Sequence, residues 1–313
     1  MVISENSPVT APPLIFSIPE YDYLRLSLCS DNPDLQAGEV ARKHFPDGEL
    51  YQRLLTSVEQ RDVVLVGGTI SAAATLQLYD LACALVTSRA RRLTLLIPYF
   101  GYQTMDRALL PGEVVAAKTR ARLLSHIPPA DAGNRVLLFD LHNEGIQHYF
   151  EGSLVPVHVL GISQVAETIE SLGYTGRLVI GSADAGRAKW VQALANRLGV
   201  DAAFVYKRRV DGNTTEVVAM SEVRADTVVI YDDILRTGSS LAGAAQAYRT
   251  AGAKNLVVIV THGVFAPGSV QLLREAGVAE IICTNSHPRA LEMTSMGVRV
   301  IPIEPLLRPM LCC

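Results

Sequence analysis

The chain has 313 residues, of which 49% are apolar and 19% are charged, and its formal net charge is −3. This length exceeds what one ordinary hydrophobic core accommodates and predicts two domains of common size. The composition excludes an intrinsically disordered chain, and the small acidic charge gives no indication of non-specific nucleic-acid binding. We see no apolar run of membrane-spanning length and no secretory signal pattern, so neither a membrane span nor secretion is expected.

Short β-branched runs alternate with alanine- and leucine-rich stretches along most of the chain. Apolar strands separated by helices are typical of parallel sheets covered by helices, so the predicted fold class is α/β. The predicted strands are Val63–Val66, Leu93–Ile97, Val136–Phe139, Leu178–Ile180, Ala203–Val205, Val228–Tyr231, Leu256–Val260 and Ile281–Cys283. The predicted helices are Ala72–Val86, Glu113–Ser125, Arg187–Leu198 and Ser239–Ala251.

Two segments hint at similar halves. Ala72–Gly101 and Ser239–Phe265 each read as a helix, then basic residues, then a strand. Any two such units look alike, so this similarity alone does not establish a repeat. We expect residues 1–158 to form a first domain and residues 159–301 a second, with a C-terminal tail of about 302–313 that could return to the first.

The most informative local pattern begins at the strand Val228–Tyr231, which is followed by Asp232 and Asp233. Parallel sheets bind ligands at the carboxyl ends of their strands, and free N–H groups at a helix start hold phosphate. A capped turn is the ordinary alternative, but two adjacent acids favour a ligand: the acids would bind ribose hydroxyls, directly or through a metal. The predicted phosphate-binding residues are Thr237, Gly238, Ser239 and Ser240.

This stretch resembles the phosphoribosyl-binding loop that type I phosphoribosyltransferases share with ribose-phosphate pyrophosphokinases. The loop alone does not separate the two groups. Further segments resemble the pyrophosphokinases, in family order and spacing, and imply two similar phosphoribosyltransferase-like domains with mainly parallel sheets. These segments are Phe45–Glu49, Pro98–Arg107, Phe139–Asn143, Gly181–Gly186 and Tyr206–Arg209.

The resemblance implies an ATP site in the first half of the chain. Phe45 is expected to stack on adenine, and Asp47 and Glu49 to accept hydrogen bonds from its amino edge. Asp106 and Arg107 are expected to contact ATP as well. Taken alone, the segment around Asp47 would be read as an ordinary Asp-Gly turn, and the aromatic cluster before Asp106 as core packing.

The resemblance also implies the catalytic and metal-binding groups. His142 and Asp184 are expected to hold Mg²⁺ beside the ATP phosphates, with His142 counted among the catalytic and ATP-binding residues. Lys207 and Arg209 are expected to close over ATP on a mobile loop and neutralise the charge that develops during transfer. The ordinary alternatives are a structural histidine, a helix-capping aspartate and a solvated basic patch.

Several residues depart from the common family pattern. Thr104 and Met105 stand where the common class has Arg and Gln, Arg187 stands where the family has a second glycine, and Arg236 replaces an acid. The segments after Arg107 look more like the plant-type second class. That class is described as less dependent on inorganic phosphate and less strict about the nucleoside triphosphate.

The implied activity is transfer of the β,γ-diphosphoryl group of ATP to ribose 5-phosphate, giving phosphoribosyl pyrophosphate and AMP. The alternatives that stay open are a non-catalytic regulatory relative and, less favoured, a phosphoribosyltransferase. The family implies a homo-oligomer based on dimers, with hexamers common, because a neighbouring subunit completes the adenine site. Apart from an adjacent tail pair, a poor chelate, the five cysteines lack metal-ligand spacing, and a reducing cytoplasm is the expected compartment.

Overall fold

The computed structural model describes residues 11–30, 32–209, 215–219 and 223–311, and for 207–209 and 215–219 it describes the backbone alone. Within these residues the chain divides into two compact units. Unit 1 comprises the described parts of Met1–Leu138, Asn143–His158 and Leu307–Cys313. Unit 2 comprises those of Phe139–His142 and Val159–Leu306. In the described ranges, no helix is both long and apolar enough to cross a membrane.

Unit 1 is built on a sheet with the strand order β2-β1-β5-β6-β7-β8 and on a separate antiparallel hairpin of β3 and β4. The strands from β2 to β7 in this order pair in parallel. The strands are β1 (Leu14–Ser17), β2 (Gln36–Ala37), β3 (Val40–His44), β4 (Leu50–Leu54), β5 (Asp62–Val66), β6 (Arg92–Ile97), β7 (Asn134–Phe139) and β8 (Leu154–Val159). The helices are α1 (Asp22–Cys29), α2 (Ala72–Thr87) and α3 (Ala116–Ser125), with 3₁₀ turns at Pro19–Tyr21 and Glu144–Tyr149.

Unit 2 has a parallel sheet with the order β10-β9-β13-β14-β15-β16 and an antiparallel ribbon of β11 and β12. The strands are β9 (Leu178–Ser182), β10 (Asp201–Ala203), β11 (Val205–Arg209), β12 (Thr215–Ala219), β13 (Thr227–Leu235), β14 (Asn255–Gly263), β15 (Glu280–Thr284) and β16 (Val298–Ile301). The helices are α4 (Ile162–Ser171), α5 (Ala188–Leu198), α6 (Ser239–Thr250), α7 (Ser269–Glu275) and α8 (Arg289–Glu292), with 3₁₀ turns at Ala185–Arg187 and Met293–Met296. The helix α9 (Glu304–Leu311) begins in unit 2 and ends in unit 1.

The central strands of unit 2 are buried on both faces. Val228 and Ile230 of β13 belong to the apolar cluster that contains Tyr248 of α6. Val229 and Tyr231 belong to a second cluster, which contains side chains of α4 and α5. Because successive side chains of a strand point to opposite faces, β13 supplies both layers of the core, and its carboxyl end is held between them.

The two sheets have equivalent strand orders. In each, the second strand lies at one edge beside the first, and the order β2-β1-β5-β6 corresponds to β10-β9-β13-β14. The segments α2–β6 and α6–β14 therefore occupy equivalent places, which confirms the prediction of two similar α/β domains. The β3–β4 hairpin and the β11–β12 ribbon are equivalent too, since each follows the second strand of its sheet.

Several element boundaries differ from the sequence-based expectations, among them the start of α3 and the division of one predicted strand. The helix predicted from Glu113 begins at Ala116, because the Glu113 carboxylate accepts hydrogen bonds from the N–H groups of Leu109 at 2.6 Å and Leu110 at 3.1 Å and closes a turn. The strand predicted at Ala203–Val205 is divided. Its first part pairs with β9, and from Val205 the backbone pairs with β12 instead.

Candidate active site

The acids Asp232 and Asp233 lie inside β13, not after it. The sequence placed the end of this strand at Tyr231, but β13 continues to Leu235 because its backbone stays paired with β14, with Ile234 opposite His262. Asp233 is buried, and Asp232 is half-buried. Both carboxylates are therefore fixed on a rigid strand.

We define Asp232 and Asp233 as the acid pair. Charged and polar side chains surround it in an ionic cluster. Arg187 Nε lies 3.4 Å from Asp232 Oδ1, and Arg187 Nη2 contacts Asp233 Oδ2. His142 Nδ1 lies 2.7 Å from Asp233 Oδ2 and 2.9 Å from Arg187 Nη2. Because one ring nitrogen cannot donate and accept at once, we assign Nδ1–H of His142 as the donor to the Asp233 carboxylate.

The surroundings of Asp232 and Asp233 shift the pKa values of the two carboxyl groups in opposite directions. Burial and the neighbouring Asp233 carboxylate raise the pKa of Asp232 well above its ordinary value. Burial also acts to raise the pKa of Asp233, but the hydrogen bond from His142 and the charge of Arg187 outweigh it and lower that pKa to about 2. As the pH falls, Asp232 therefore takes up a proton before Asp233 does.

The loop after β13 forms the start of a helix that is open to a phosphate. Gly238 precedes α6 with a φ of 81°, and its carbonyl accepts from the N–H of Ala242 at 2.8 Å. The hydroxyl oxygens of Thr237 and Ser239 lie 3.2 Å apart. The backbone conformation favours glycine at 238, and a Cβ there would lie 3.3 Å from the carbonyl oxygen of Ser269. The first N–H groups of α6 and these hydroxyls are suited to phosphate oxygens.

His262 supports the segment that carries His142. Its Nε2 lies 3.0 Å from the carbonyl oxygen of Asp140, and its Nδ1 lies 2.8 Å from Ser286 Oγ. Burial lowers the pKa of His262, so the ring is neutral and its Nε2–H donates to the Asp140 carbonyl. Asp140 has a φ of 47°, and its carboxylate accepts from the Thr261 hydroxyl and, at 3.4 Å, from the Gly161 N–H.

From the sequence, no role was assigned to His262. A histidine at the end of a buried strand was the available signal. Its partners Asp140 and Ser286 lie 122 and 24 residues away in the chain, so no local pattern identifies them. The contacts make His262 a positioning residue for the segment that ends at His142.

In unit 1, the residues predicted to contact adenine lie at the tip of the β3–β4 hairpin. The Phe45 side chain is 41% exposed, and Lys43 Nζ lies 4.9 Å from its ring centroid. Asp47 Oδ1 accepts from the Glu49 N–H at 3.0 Å, and Gly48 has a φ of 92°. The hairpin tip is thus an ordered Asp-Gly turn that also presents an exposed aromatic ring.

Asp106 and Arg107 differ in exposure. Asp106 is buried, and its carboxylate accepts from Asn143 Nδ2 at 2.5 Å while its carbonyl accepts from the Tyr149 hydroxyl at 2.6 Å. Arg107 is exposed. The structure therefore gives Asp106 a structural contact within unit 1, and the contact of both residues with ATP stays a prediction.

Asp184 and the pair Lys207 and Arg209 lie on separate elements of unit 2. Asp184 precedes the turn Ala185–Arg187, and its Oδ1 accepts from the Gly186 N–H at 2.8 Å. The backbones of Lys207 and Arg209 belong to β11 and pair with Val217 and Thr215 of β12. The residues 210–214, predicted as the mobile part of this loop, lie outside the described residues.

The residues predicted to hold magnesium do not form a closed metal centre. Among the residues that the structure describes, no group of three or more His, Cys, Asp or Glu side chains is arranged to bind a metal ion. Magnesium is commonly held by one or two protein ligands together with substrate phosphates and water. Binding of a magnesium ion by His142 and Asp184, with a nucleotide supplying further ligands, stays a prediction.

Comparison with known proteins identifies the family of both units. Residues 14–127 match the model of the N-terminal domain of ribose phosphate pyrophosphokinase. Residues 161–294 match the model of the phosphoribosyl transferase domain. The two matches follow one another in the chain as unit 1 and unit 2 do.

Curated relatives and a solved structure agree with these matches. The chain is 32% identical over 299 residues to a ribose-phosphate pyrophosphokinase of Gloeobacter violaceus, covering 91% of this chain and 88% of the relative. It is 30% identical to one of Corynebacterium efficiens, covering 88% of this chain and 84% of the relative. The crystal structure of phosphoribosylpyrophosphate synthetase from Mycobacterium smegmatis superposes with a TM-score of 0.82 at 27% identity, covering 96% of this chain and 97% of that one. The chain belongs to the ribose-phosphate pyrophosphokinase family.

Proposed function

We propose that the protein transfers the β,γ-diphosphoryl group of ATP to the anomeric hydroxyl of ribose 5-phosphate, giving phosphoribosyl pyrophosphate and AMP. The observation that carries this proposal is the end of β13, where two fixed acids precede an open helix N-terminus, in a chain that matches both family domains in order. A phosphoribosyltransferase would use that loop but would leave the match of residues 14–127 unexplained.

Ribose 5-phosphate is bound by unit 2 in this proposal. Its phosphate accepts hydrogen bonds from the first N–H groups of α6 and from Thr237, Ser239 and Ser240. Gly238 leaves room for the phosphate against the backbone. The carboxylates of Asp232 and Asp233 receive the ribose hydroxyls.

ATP is bound by residues that the family resemblance identified. Phe45 stacks on the adenine ring, Asp47 and Glu49 accept from its amino group, and Asp106 and Arg107 lie near the nucleotide. An exposed, ordered ring at the Phe45 hairpin tip supports the stacking role.

Catalysis relies on two positively charged side chains. Lys207 and Arg209 neutralise the charge that develops on the transferring phosphates, which is the main protein contribution in phosphoryl transfer. His142 and Asp184 hold the magnesium ion of MgATP. When bound, that ion screens the phosphate oxygens and makes the β-phosphorus easier to attack.

The remaining parts of the proposal concern assembly and location. The protein acts as a homo-oligomer built from dimers. By analogy with the family, the hexamer is a common form of this assembly. It acts in the cytoplasm on small-molecule substrates, without a nucleic-acid or membrane partner. Cys29, Cys83 and Cys283 are free thiols in the described part of the chain, as suits a reducing compartment.

The reaction itself tests the proposal. Full-length protein incubated with MgATP and ribose 5-phosphate should release AMP and form phosphoribosyl pyrophosphate in equal amounts. Samples without ribose 5-phosphate are the control for ATP hydrolysis. Folded protein that binds ATP but releases no AMP above this control would favour a regulatory relative, and the donors GTP, CTP and UTP, with and without phosphate, test the plant-type resemblance.

Replacement of Lys207 tests the catalytic assignment. Lys207→Ala should lower kcat by about 10²–10³-fold, the usual cost of one group that stabilises transition-state charge, and should change the KM for ATP less. Arg208→Ala is the matched control, because it removes an adjacent positive charge to which no role is assigned. Equal kcat for Lys207→Ala and the parent enzyme would refute the role of this lysine.

A further inference from the structure

Arg187 is a buried arginine whose guanidinium lies against both members of the acid pair. Its side chain is 9% exposed, and those of Asp232 and Asp233 are 13% and 7% exposed. The family resemblance predicted a glycine at this position. The proposed reaction therefore does not account for a positive charge here.

The carboxylate oxygens that Arg187 faces already have donors. Asp232 Oδ1 accepts from the N–H of Asp233 at 2.9 Å and lies 3.4 Å from Arg187 Nε. Asp233 Oδ2 is contacted by Arg187 Nη2 and by Nδ1 of His142 at 2.7 Å. The guanidinium thus spans the two carboxylates in the place where a cation shared between them would bind.

Both geometry and charge oppose a metal ion on the carboxylate oxygens that this guanidinium faces. Mg²⁺ requires oxygen ligands at about 2.0–2.1 Å in near-octahedral arrangement, and the oxygens facing Arg187 are held in hydrogen bonds. Arginine stays protonated in proteins, and repulsion between its charge and a dication is poorly screened where water is excluded. A metal could bind these oxygens only if Arg187 moved away.

We propose that Arg187 is the resident cation of the acid pair and keeps divalent cations off Asp232 and Asp233. It is a specificity-determining residue that acts through the two acids. It balances their charge from within the protein, so a hydroxylated ligand can bind to them without a bridging metal. The magnesium ion assigned to His142 and Asp184 belongs to the nucleotide. It would be held by atoms other than the carboxylate oxygens of Asp232 and Asp233.

Binding of Mn²⁺, measured by calorimetric titration of the full-length chain without nucleotide or sugar, tests the proposal. Arg187→Ala should expose the acid pair and gain one Mn²⁺ site that the parent protein lacks, with a dissociation constant on the order of 10⁻⁴–10⁻³ M, typical of weak oxygen-ligand sites. Arg187→Gln keeps the side-chain size without the charge and should gain the same site more weakly. A purely structural arginine would affect stability but would not create a metal site when removed.

The acid Asp232 provides the matched control, because it contacts Arg187 without contacting His142 in the described network. The gain should disappear in Arg187→Ala, Asp232→Asn, whereas Asp232→Asn alone should leave Mn²⁺ binding as in the parent. Fluorescence of Trp190 reports whether each variant is folded, and the Gln variant serves if the Ala variant is not. The proposal is overturned if neither folded variant gains a site, or if the parent has a site that Asp232→Asn removes.

A second measurement extends the inference to the sugar phosphate and rests on the proposed function. In the parent, the dissociation constant of ribose 5-phosphate should change less than about twofold between EDTA and excess Mg²⁺, and in Arg187→Ala added Mg²⁺ should tighten binding. Loss of ribose 5-phosphate binding in all proteins would refute the proposed function but leave the Mn²⁺ result standing. Tenfold tighter binding with Mg²⁺ in the parent would contradict the role of Arg187.

Discussion

The hairpin tip of unit 1 and the acid pair of unit 2 are both predicted to bind substrate, yet their surroundings differ. Phe45 is 41% exposed and contacts neighbours within its own hairpin, Lys43 and Tyr51. Asp233 is 7% exposed and is held by Arg187 and His142, which are distant in the chain. The hairpin tip uses local structure, whereas the acid pair depends on tertiary structure.

Because of this difference, the two regions should contribute differently to ligand binding and to folding stability. A side chain that is exposed on a turn contributes little to stability, so its replacement should act mainly on the ligand. A buried ion pair is costly to leave half-made, because the remaining charge has lost its partner and cannot reach water. Equivalent substitutions in the two regions should therefore change different observables.

The largest expected effect is that of Asp233→Asn on the stability of unit 2. Removing the carboxylate leaves the buried guanidinium of Arg187 with one acidic partner and should cost about 3–5 kcal/mol, as for broken buried ion pairs. Urea unfolding followed by Trp190 fluorescence measures it, since Trp190 of α5 is the chain's single tryptophan. Asp226→Asn, in the exposed ion pair with Lys254, should cost far less. Equal losses would show that burial of the Arg187–Asp233 ion pair does not increase the cost of breaking it.

The next effect is a loss of stability in mild acid. Burial, with His262 and Arg289 nearby, lowers the pKa of His287 from 6.5 to about 3. Between these values the unfolded chain binds a proton that the folded protein does not, so stability is complete above pH 6.5 and falls as the pH falls towards 3. The slope from this residue is at most about 1.4 kcal/mol per pH unit. Unfolding of the parent and His287→Gln at pH 7 and pH 5 measures it, and an unchanged slope in the variant would contradict the assignment.

At the hairpin tip, in contrast to the acid pair, a substitution should change ligand binding and leave stability nearly unchanged. Phe45→Ala should weaken ATP binding by about 1–3 kcal/mol, the usual value of an aromatic ring that stacks on a base, with little change in thermal stability. Phe45→Tyr keeps the ring and should bind ATP as the parent does. A drop in stability without a change in the KM for ATP would show that the ring is structural.

The smallest effect is a structural control in unit 1. Ser71 caps α2, and its hydroxyl oxygen accepts from the N–H of Ala74 at 3.0 Å. Ser71→Ala should lower stability by about 1 kcal/mol in calorimetry, as for other helix caps. The KM for ATP should not change, so Ser71→Ala and Phe45→Ala form a reciprocal pair.

The sequence predicted several buried strands well, although it did not predict β1, which is buried throughout. The alternation of β-branched and alanine-rich segments located β5, β6, β9, β14 and β15 to within one to three residues, since buried strands need continuous apolar runs. It did not locate the end of β13, because Asp232 and Asp233 break the apolar run while their backbone stays in the sheet. The strand is longer because its backbone pairs with β14, and a local sequence pattern carries no information about that pairing.

The candidate site was predicted in part. Motif order identified the family, which the comparisons confirm, and the helix N-terminus after Gly238 lies where the motif placed it. The roles assigned to Lys207, Arg209, His142 and Asp184 stay predictions. The supporting histidine His262 received no role from the sequence, because its contact with Asp140 joins residues more than a hundred positions apart.

The sequence by itself determined the α/β class, the family and the order of the motifs, because these depend on apolar periodicity and on short runs of residues that act together. The tertiary structure alone decided which groups Arg187 contacts. In the sequence Arg187 stands where the family has a glycine. In the fold it ends the turn that follows β9, the strand beside β13, and its charge contacts Asp232 and Asp233 from there. Charge pairing in a buried site depends on distance in space, and sequence separation does not measure that distance.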